Sequence, residues 1–114
     1  MLTNPSTLQT SFASPRTSTV SEPLRLQMAQ IFKILADPTR LAVLGTLLEV
    51  ELCVGEISAR TGLTQSSVSH HLKTLREANM VRPRRQGKQI YYRLADSHVT
   101  ALLAVARDHA RESL

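Results

Sequence analysis

Residues 54–75 read VGEISARTGLTQSSVSHHLKTL, and few folds accommodate such a stretch. Val54 to Thr61 has the pattern of a short helix, and Gly62 stops it, because glycine tolerates the left-handed conformation that ends helices. Thr64 is placed to cap a second helix. In that helix Val68, Leu72 and Leu75 recur at helical spacing and face inward, while Ser66, Ser69, His70 and Lys73 face outward. Two short helices joined by a Gly-containing connection of three or four residues form a helix-turn-helix.

The flanking sequence extends this unit. Leu24, Met28, Ile31, Phe32 and Leu35 lie on one stripe of a preceding helix. ADPTRLAVLGTLL then supplies Asp37 as N-cap, Pro38 at the first helical position, and Leu41, Leu44, Leu47 and Leu48 as the buried stripe. Beyond Met80 the period changes to two: Ile90, Tyr92 and Leu94 alternate with Gln89, Tyr91 and Arg93, and Gly87 sits where a hairpin would turn. A last helix follows over DSHVTALLAVARDHARE, residues 96–112. The expected fold is mainly α with a β-hairpin: a winged helix-turn-helix of four helices, a two-stranded wing and a C-terminal helix. Residues 24–114 form this domain. Residues 1–23 are rich in Ser, Thr and Pro and are expected to be a disordered tail.

The chain carries 14 Lys and Arg against 9 Asp and Glu, a balance that favours a polyanionic partner. The basic residues cluster. RPRRQGKQIYYR holds Arg82, Arg84, Arg85, Lys88 and Arg93 with no acid, which suits a wing that grips phosphates. The outward face of the second helix of the helix-turn-helix carries Gln65, Ser66, Ser67, Ser69, His70 and Lys73, short polar groups suited to base edges in a major groove. An ordinary solvated helix would carry similar residues, and it is the adjoining basic hairpin that favours double-stranded DNA. No apolar run approaches the ~20 residues needed to span a bilayer, no signal peptide is visible, and Cys53 is the only cysteine, so a cytoplasmic location is expected.

Three segments, ILADPTRLAVLGTLL, ELCVGEISARTGLTQSSVSHHLKTLREANMV and RRQGKQIYYRL, resemble the ArsR/SmtB family of metal-responsive repressors, and the similarity runs from about Leu24 to the C-terminus. The resemblance implies a homodimeric, non-enzymatic winged-helix repressor that leaves an inverted-repeat operator when an inducer, usually a metal ion, binds. One metal site of that family uses two cysteines in an ELCxC segment. Here Gly55 stands at the second cysteine position and the first 23 residues contain neither Cys nor His. A soft-metal site needs more than one thiolate, so Cys53 is expected to pack rather than ligate.

The last helix offers a different donor set. His98, Leu102, Val105, His109 and Glu112 follow spacings of 4, 3, 4 and 3, a seam along one face, and Val99, Leu103, Ala106 and Ala110 form a second stripe expected to pack on the chain's own core. Eleven residues at a ~1.5 Å rise separate His98 from His109 by ~16 Å, so the two cannot bind one ion within a chain. Antiparallel pairing of this helix with its copy, about a twofold axis between Leu102 and Val105, brings His98 to the partner's His109. Asp96, as N-cap, and the partner's Glu112 lie alongside. Each end then holds two imidazoles and two carboxylates, which suits tetrahedral Zn(II), with two ions per dimer. The spacing D-x-H-x10-H-x-x-E is also that of the family's C-terminal-helix zinc site, and it is complete here at Asp96, His98, His109 and Glu112. Cobalt, nickel or a non-metal inducer remain alternatives. A zinc hydrolase is disfavoured because all four coordination positions are filled and no nucleophile–base pair has a recognisable spacing.

Overall fold

The computed structural model describes residues 19–114. Residues 1–18, on which most of the tail expectation falls, lie outside the described residues. The chain divides into a unit ending at Phe32 and a second, Lys33–Leu114. Helix α1 (Glu22–Leu35) begins inside the segment assigned to the tail, with the Ser21 hydroxyl accepting the Leu24 N–H at 3.4 Å. In the first unit its expected apolar stripe is present but uncovered: Leu24, Met28, Ile31 and Phe32 are all exposed.

The second unit contains the helix-turn-helix and the wing. Asp37 caps α2 (Pro38–Thr46), its Oδ1 accepting the Thr39 and Arg40 N–H groups at 2.9 and 3.1 Å. Those bonds, the Arg40 N–H foremost, hold the Asp37 carboxyl below its ordinary range. The buried face of α2 differs from the expected one. Val43, Leu44 and Leu47 are buried and Leu48 is half-buried, but Leu41 is 42% exposed. Leu41 borders an open cavity of about 940 Å³ between α2 and the last helix, so its side of α2 has no packed neighbour to cover it.

Helix α3 (Val54–Thr61) stops at Gly62, whose φ of 76° is left-handed and whose N–H donates to Ser58 O at 2.9 Å. Thr64 Oγ1 accepts the Ser67 N–H at 3.1 Å and so caps α4 (Gln65–Glu77). Val68, Leu72 and Leu75 of α4 are buried against Val43, Leu44 and Ile57.

The sheet has three strands rather than the expected two. Leu52–Cys53 forms β1, Val81–Gln86 β2 and Gln89–Leu94 β3, all antiparallel in the order β1-β3-β2. A strand of two residues has no periodicity to detect, and only its pairing with Tyr92 and Tyr91 defines it. Gly87 turns the hairpin at φ 63°. Directly paired residues share a sheet face, so Val81, Pro83, Arg85, Ile90, Tyr92 and Leu94 lie on one side, and Arg82, Arg84, Gln86, Gln89, Tyr91 and Arg93 on the other. The first side packs on the core through Val81 and Leu94.

Helix α5 (Ser97–Arg111) is anchored by Val99 and Leu103, which are buried. Its second expected stripe is only half realised: Ala106 and Ala110 are exposed and border the cavity beside α2. Their methyl groups are too short to reach across it.

Candidate nucleic-acid interface and metal-ligating seam

The outer face of α4 is built by the burial of its inner one. With Val68, Leu72 and Leu75 in the core, the helical period places Gln65, Ser66, Ser69, His70 and Lys73 in solvent, whereas Ser67 is half-buried. Helix α4 has no acidic residue in its first turn, so nothing opposes an approaching phosphate there. Arg76 also belongs to this face. It follows Ser69 and Lys73 at helical spacing, and with Tyr92 of β3 these residues line a groove of about 250 Å³ between α4 and the wing. Arg76 was not singled out from sequence, although its place three residues after Lys73 signals it.

The wing projects beyond the core at its Gly87–Lys88 end. Lys88 and Arg85 are exposed there, and Arg85 reaches the Gly87 carbonyl only at 3.4 Å. Arg84 is also exposed but is engaged. Its Nε donates to Glu51 Oε1 at 2.8 Å and its Nη2 lies 2.7 Å from the same oxygen, its Nη1 donates to Gln86 Oε1 at 2.8 Å, and its Cζ lies 5.3 Å from the Tyr91 ring centre. Glu51 was not among the residues singled out from sequence, because a lone acid before a strand carries no motif.

On α5 the cap and the seam coincide at Asp96. Its Oδ1 accepts the His98 and Val99 N–H groups at 2.9 and 3.1 Å. The Val99 bond is the main cause that holds the Asp96 carboxyl below its ordinary range, aided by the His98 N–H and the His98 ring. His98 Nδ1 lies 3.5 Å from Asp96 Oδ1, and the His98 side chain is 94% exposed. His109 lies in the last turn, Glu112 is the C-cap, and both are exposed. Between them Leu102 is half-buried and Val105 is 67% exposed. Among the described residues, no three His, Cys, Asp or Glu side chains of the chain converge as metal ligands. Cys53 is half-buried at the start of α3, where its N–H donates to Glu56 Oε1 at 3.0 Å. Among the described residues no helix is long and apolar enough to cross a membrane.

Known proteins share this fold. The model of the "Bacterial regulatory protein, arsR family" matches residues 37–82, from the cap of α2 into the wing. A Synechocystis protein described as a "Transcriptional repressor SmtB homolog" is 45% identical over 87 residues, which cover 76% of this chain and 66% of that relative, just under two thirds of its length. A Staphylococcus aureus "Cadmium resistance transcriptional regulatory protein CadC homolog" is 38% identical over 76% of this chain and 73% of its own. The solution structure of a homodimeric winged helix-turn-helix DNA-binding domain from Mycobacterium bovis superposes with a TM-score of 0.76 at 33% identity, covering 90% of this chain and 94% of that one. With the helix-turn-helix, the wing and the matched sequence all in agreement, the chain belongs to the ArsR family of bacterial transcriptional regulators.

Proposed function

We propose that this chain is a homodimeric, zinc-responsive transcriptional repressor, whose metal-free dimer holds an inverted-repeat operator and whose DNA affinity falls when zinc binds between its two C-terminal helices. The observation that carries this is the seam of α5. His98, Val105, His109 and Glu112 are exposed along one face, Asp96 is exposed at the N-cap of the same helix, and Val99 and Leu103 are buried in the helix-turn-helix core. An uncovered seam with two apolar positions at its centre suits a second copy of the same helix.

The donor set fits Zn(II). It offers imidazole nitrogen and carboxylate oxygen, and Asp96 is ionised at neutral pH with Oδ2 outside the cap bonds. Asp96 and His98 of one protomer would hold the ion with the partner's His109 and the partner's Glu112, at two ions per dimer. When bound, the ion supplies a cross-link between the two α5 helices. A cadmium-type thiolate site is disfavoured, because Cys53 is the only thiol and Gly55 follows it at the second position.

DNA would meet Gln65, Ser66, Ser67, Ser69, His70 and Lys73 of α4 in the major groove and the cations of the wing on the backbone. Val99 and Leu103 of α5 share one core with Leu72 and Leu75 of α4, so a shift of α5 against its partner reorients the recognition helices. Linkage makes the coupling reciprocal: whatever factor zinc costs DNA binding, DNA costs zinc binding. Titration of metal-free protein onto operator DNA, then zinc, then chelator tests this. Zinc should weaken binding by about tenfold or more and the chelator should restore it. Unchanged or tighter binding with zinc, or a response to cobalt or nickel alone, would contradict the zinc assignment.

A further inference from the structure

We propose that Glu51 positions the wing by clamping Arg84 and Arg93, and that Arg84 is a positioning residue while Arg85 carries the phosphate contact. This rests on the DNA-binding role of the wing and not on zinc.

Sheet register separates the two arginines. Arg84 pairs with Tyr91 and Arg85 with Ile90, so their side chains leave opposite faces of the hairpin. The Arg85 face continues from Val81, Leu94 and Tyr92, and Tyr92 borders the groove that Ser69, Lys73 and Arg76 of α4 also line. Arg85 therefore extends the side of the wing that faces the recognition helix. The Arg84 face is the other side. Glu51 reaches it from the residue before β1, since Leu52 pairs with Tyr92 and strand alternation turns Glu51 towards Arg93.

The chemistry of the two arginines differs as well. Arg84 has Nε and Nη2 on Glu51 Oε1, Nη1 on Gln86 and its Cζ over the Tyr91 ring, so its nitrogens are already engaged within the protein. Glu51 Oε2 lies 3.8 Å from Arg93 Nε, so one carboxylate spans β2 and β3 from outside the hairpin. A single exposed ion pair contributes little, but here Arg84 places two nitrogens on one Glu51 oxygen while the other oxygen faces Arg93, and charges joined in such a network hold a shape better than isolated pairs. Arg85 has only a long bond to the Gly87 carbonyl, so its guanidinium can turn to a phosphate.

Coulomb attraction alone predicts the opposite sign for Glu51. Removing a carboxylate from a DNA-binding face should tighten DNA binding if Glu51 only repels phosphate or competes for Arg84. It should loosen binding if Glu51 aims the wing.

The test is binding of metal-free, full-length protein to a mixed-sequence DNA duplex by fluorescence anisotropy over a range of salt, with circular dichroism to check folding. Arg85→Ala should reduce the slope of log K against log salt by about 1.8 per dimer, from ~0.9 for each phosphate that is no longer neutralised. Arg84→Ala and Glu51→Ala should each weaken binding roughly fivefold with the slope unchanged, and the double variant should be no weaker than either single one. Arg84→Lys keeps the charge but not the fork or the stack, and should bind as weakly as Arg84→Ala. The proposal is overturned if Glu51→Ala binds as well as or better than the parent, if Arg84→Ala flattens the slope as Arg85→Ala does, or if Arg84→Lys binds like the parent. If Arg85→Ala changes nothing, the wing does not touch DNA, and both the wing assignment and the clamp fall. No zinc is present at any stage, so failure of metal sensing has no bearing on the result.

Discussion

Asp96 serves the fold and the proposed metal site with different oxygens, and substitution separates the two. Asparagine caps helices as well as aspartate but carries no charge. Asp96→Asn should therefore keep the cap and most of the parent's thermal stability, short of the part the ionised carboxylate adds, and lose zinc affinity by an order of magnitude or more, whereas Asp96→Ala should lose both. Isothermal titration and a melting curve on the same samples decide it, and equal zinc affinity in parent and Asp96→Asn would remove Asp96 from the site. Cys53 makes the converse case. Cys53→Ser should retain zinc binding, and cobalt substituted for zinc should show d–d absorption without a thiolate charge-transfer band. At this scale the sequence was most legible where a residue acts through its neighbours in the chain, although the Cys53–Glu56 cap of α3 was not read from it. Asp37, Gly62, Thr64 and Asp96 cap or stop helices through bonds to residues at most four positions away. Glu51 and Arg84, 33 positions apart, were not legible as a pair because only the sheet brings them together.

Three helices have, at the N-cap or in the first turn, a carboxylate whose folded pKa is lowered: Asp37 at α2, Glu56 at α3 and Asp96 at α5. A lowered folded pKa means stability that is fully present above the unfolded carboxylate range and is lost as pH falls through the folded value. The protein should accordingly lose helicity in acid and show little change in stability above the carboxylate range from these groups. Asp37→Asn keeps the cap acceptor and should flatten part of the acid decline seen by circular dichroism. An identical acid profile would show that the α2 cap does not contribute. Helix α4 is held from its inner side alone. Leu72 is 1% exposed, so Leu72→Ala should cost about 2–5 kcal/mol of unfolding free energy by denaturant titration while leaving the DNA-facing residues chemically intact. The buried stripes of α2 and α5 depart from helical spacing for a common reason. Helical spacing identifies an apolar face but not how far the neighbouring element extends, and here an open cavity leaves Leu41, Ala106 and Ala110 uncovered.

For the whole molecule, the family and the winged helix-turn-helix architecture were readable from the helix-turn-helix and the basic hairpin. The third strand was not, because β1 is two residues long. Within the second unit Val105 on α5 is left exposed, as the proposed pairing of α5 with a second copy would require. Sharing of each zinc site between two chains is the claim on which the proposed switch depends. His98→Ala and His109→Ala homodimers should each have both sites damaged and respond poorly to zinc. In a heterodimer of the two variants, one end lacks both histidines, and the other joins the intact His98 of one chain to the partner's intact His109. Zinc titration of the purified heterodimer should therefore recover one ion per dimer at close to the parent affinity. A heterodimer that recovers no zinc site would contradict the antiparallel pairing and the metal-sensing mechanism built on it.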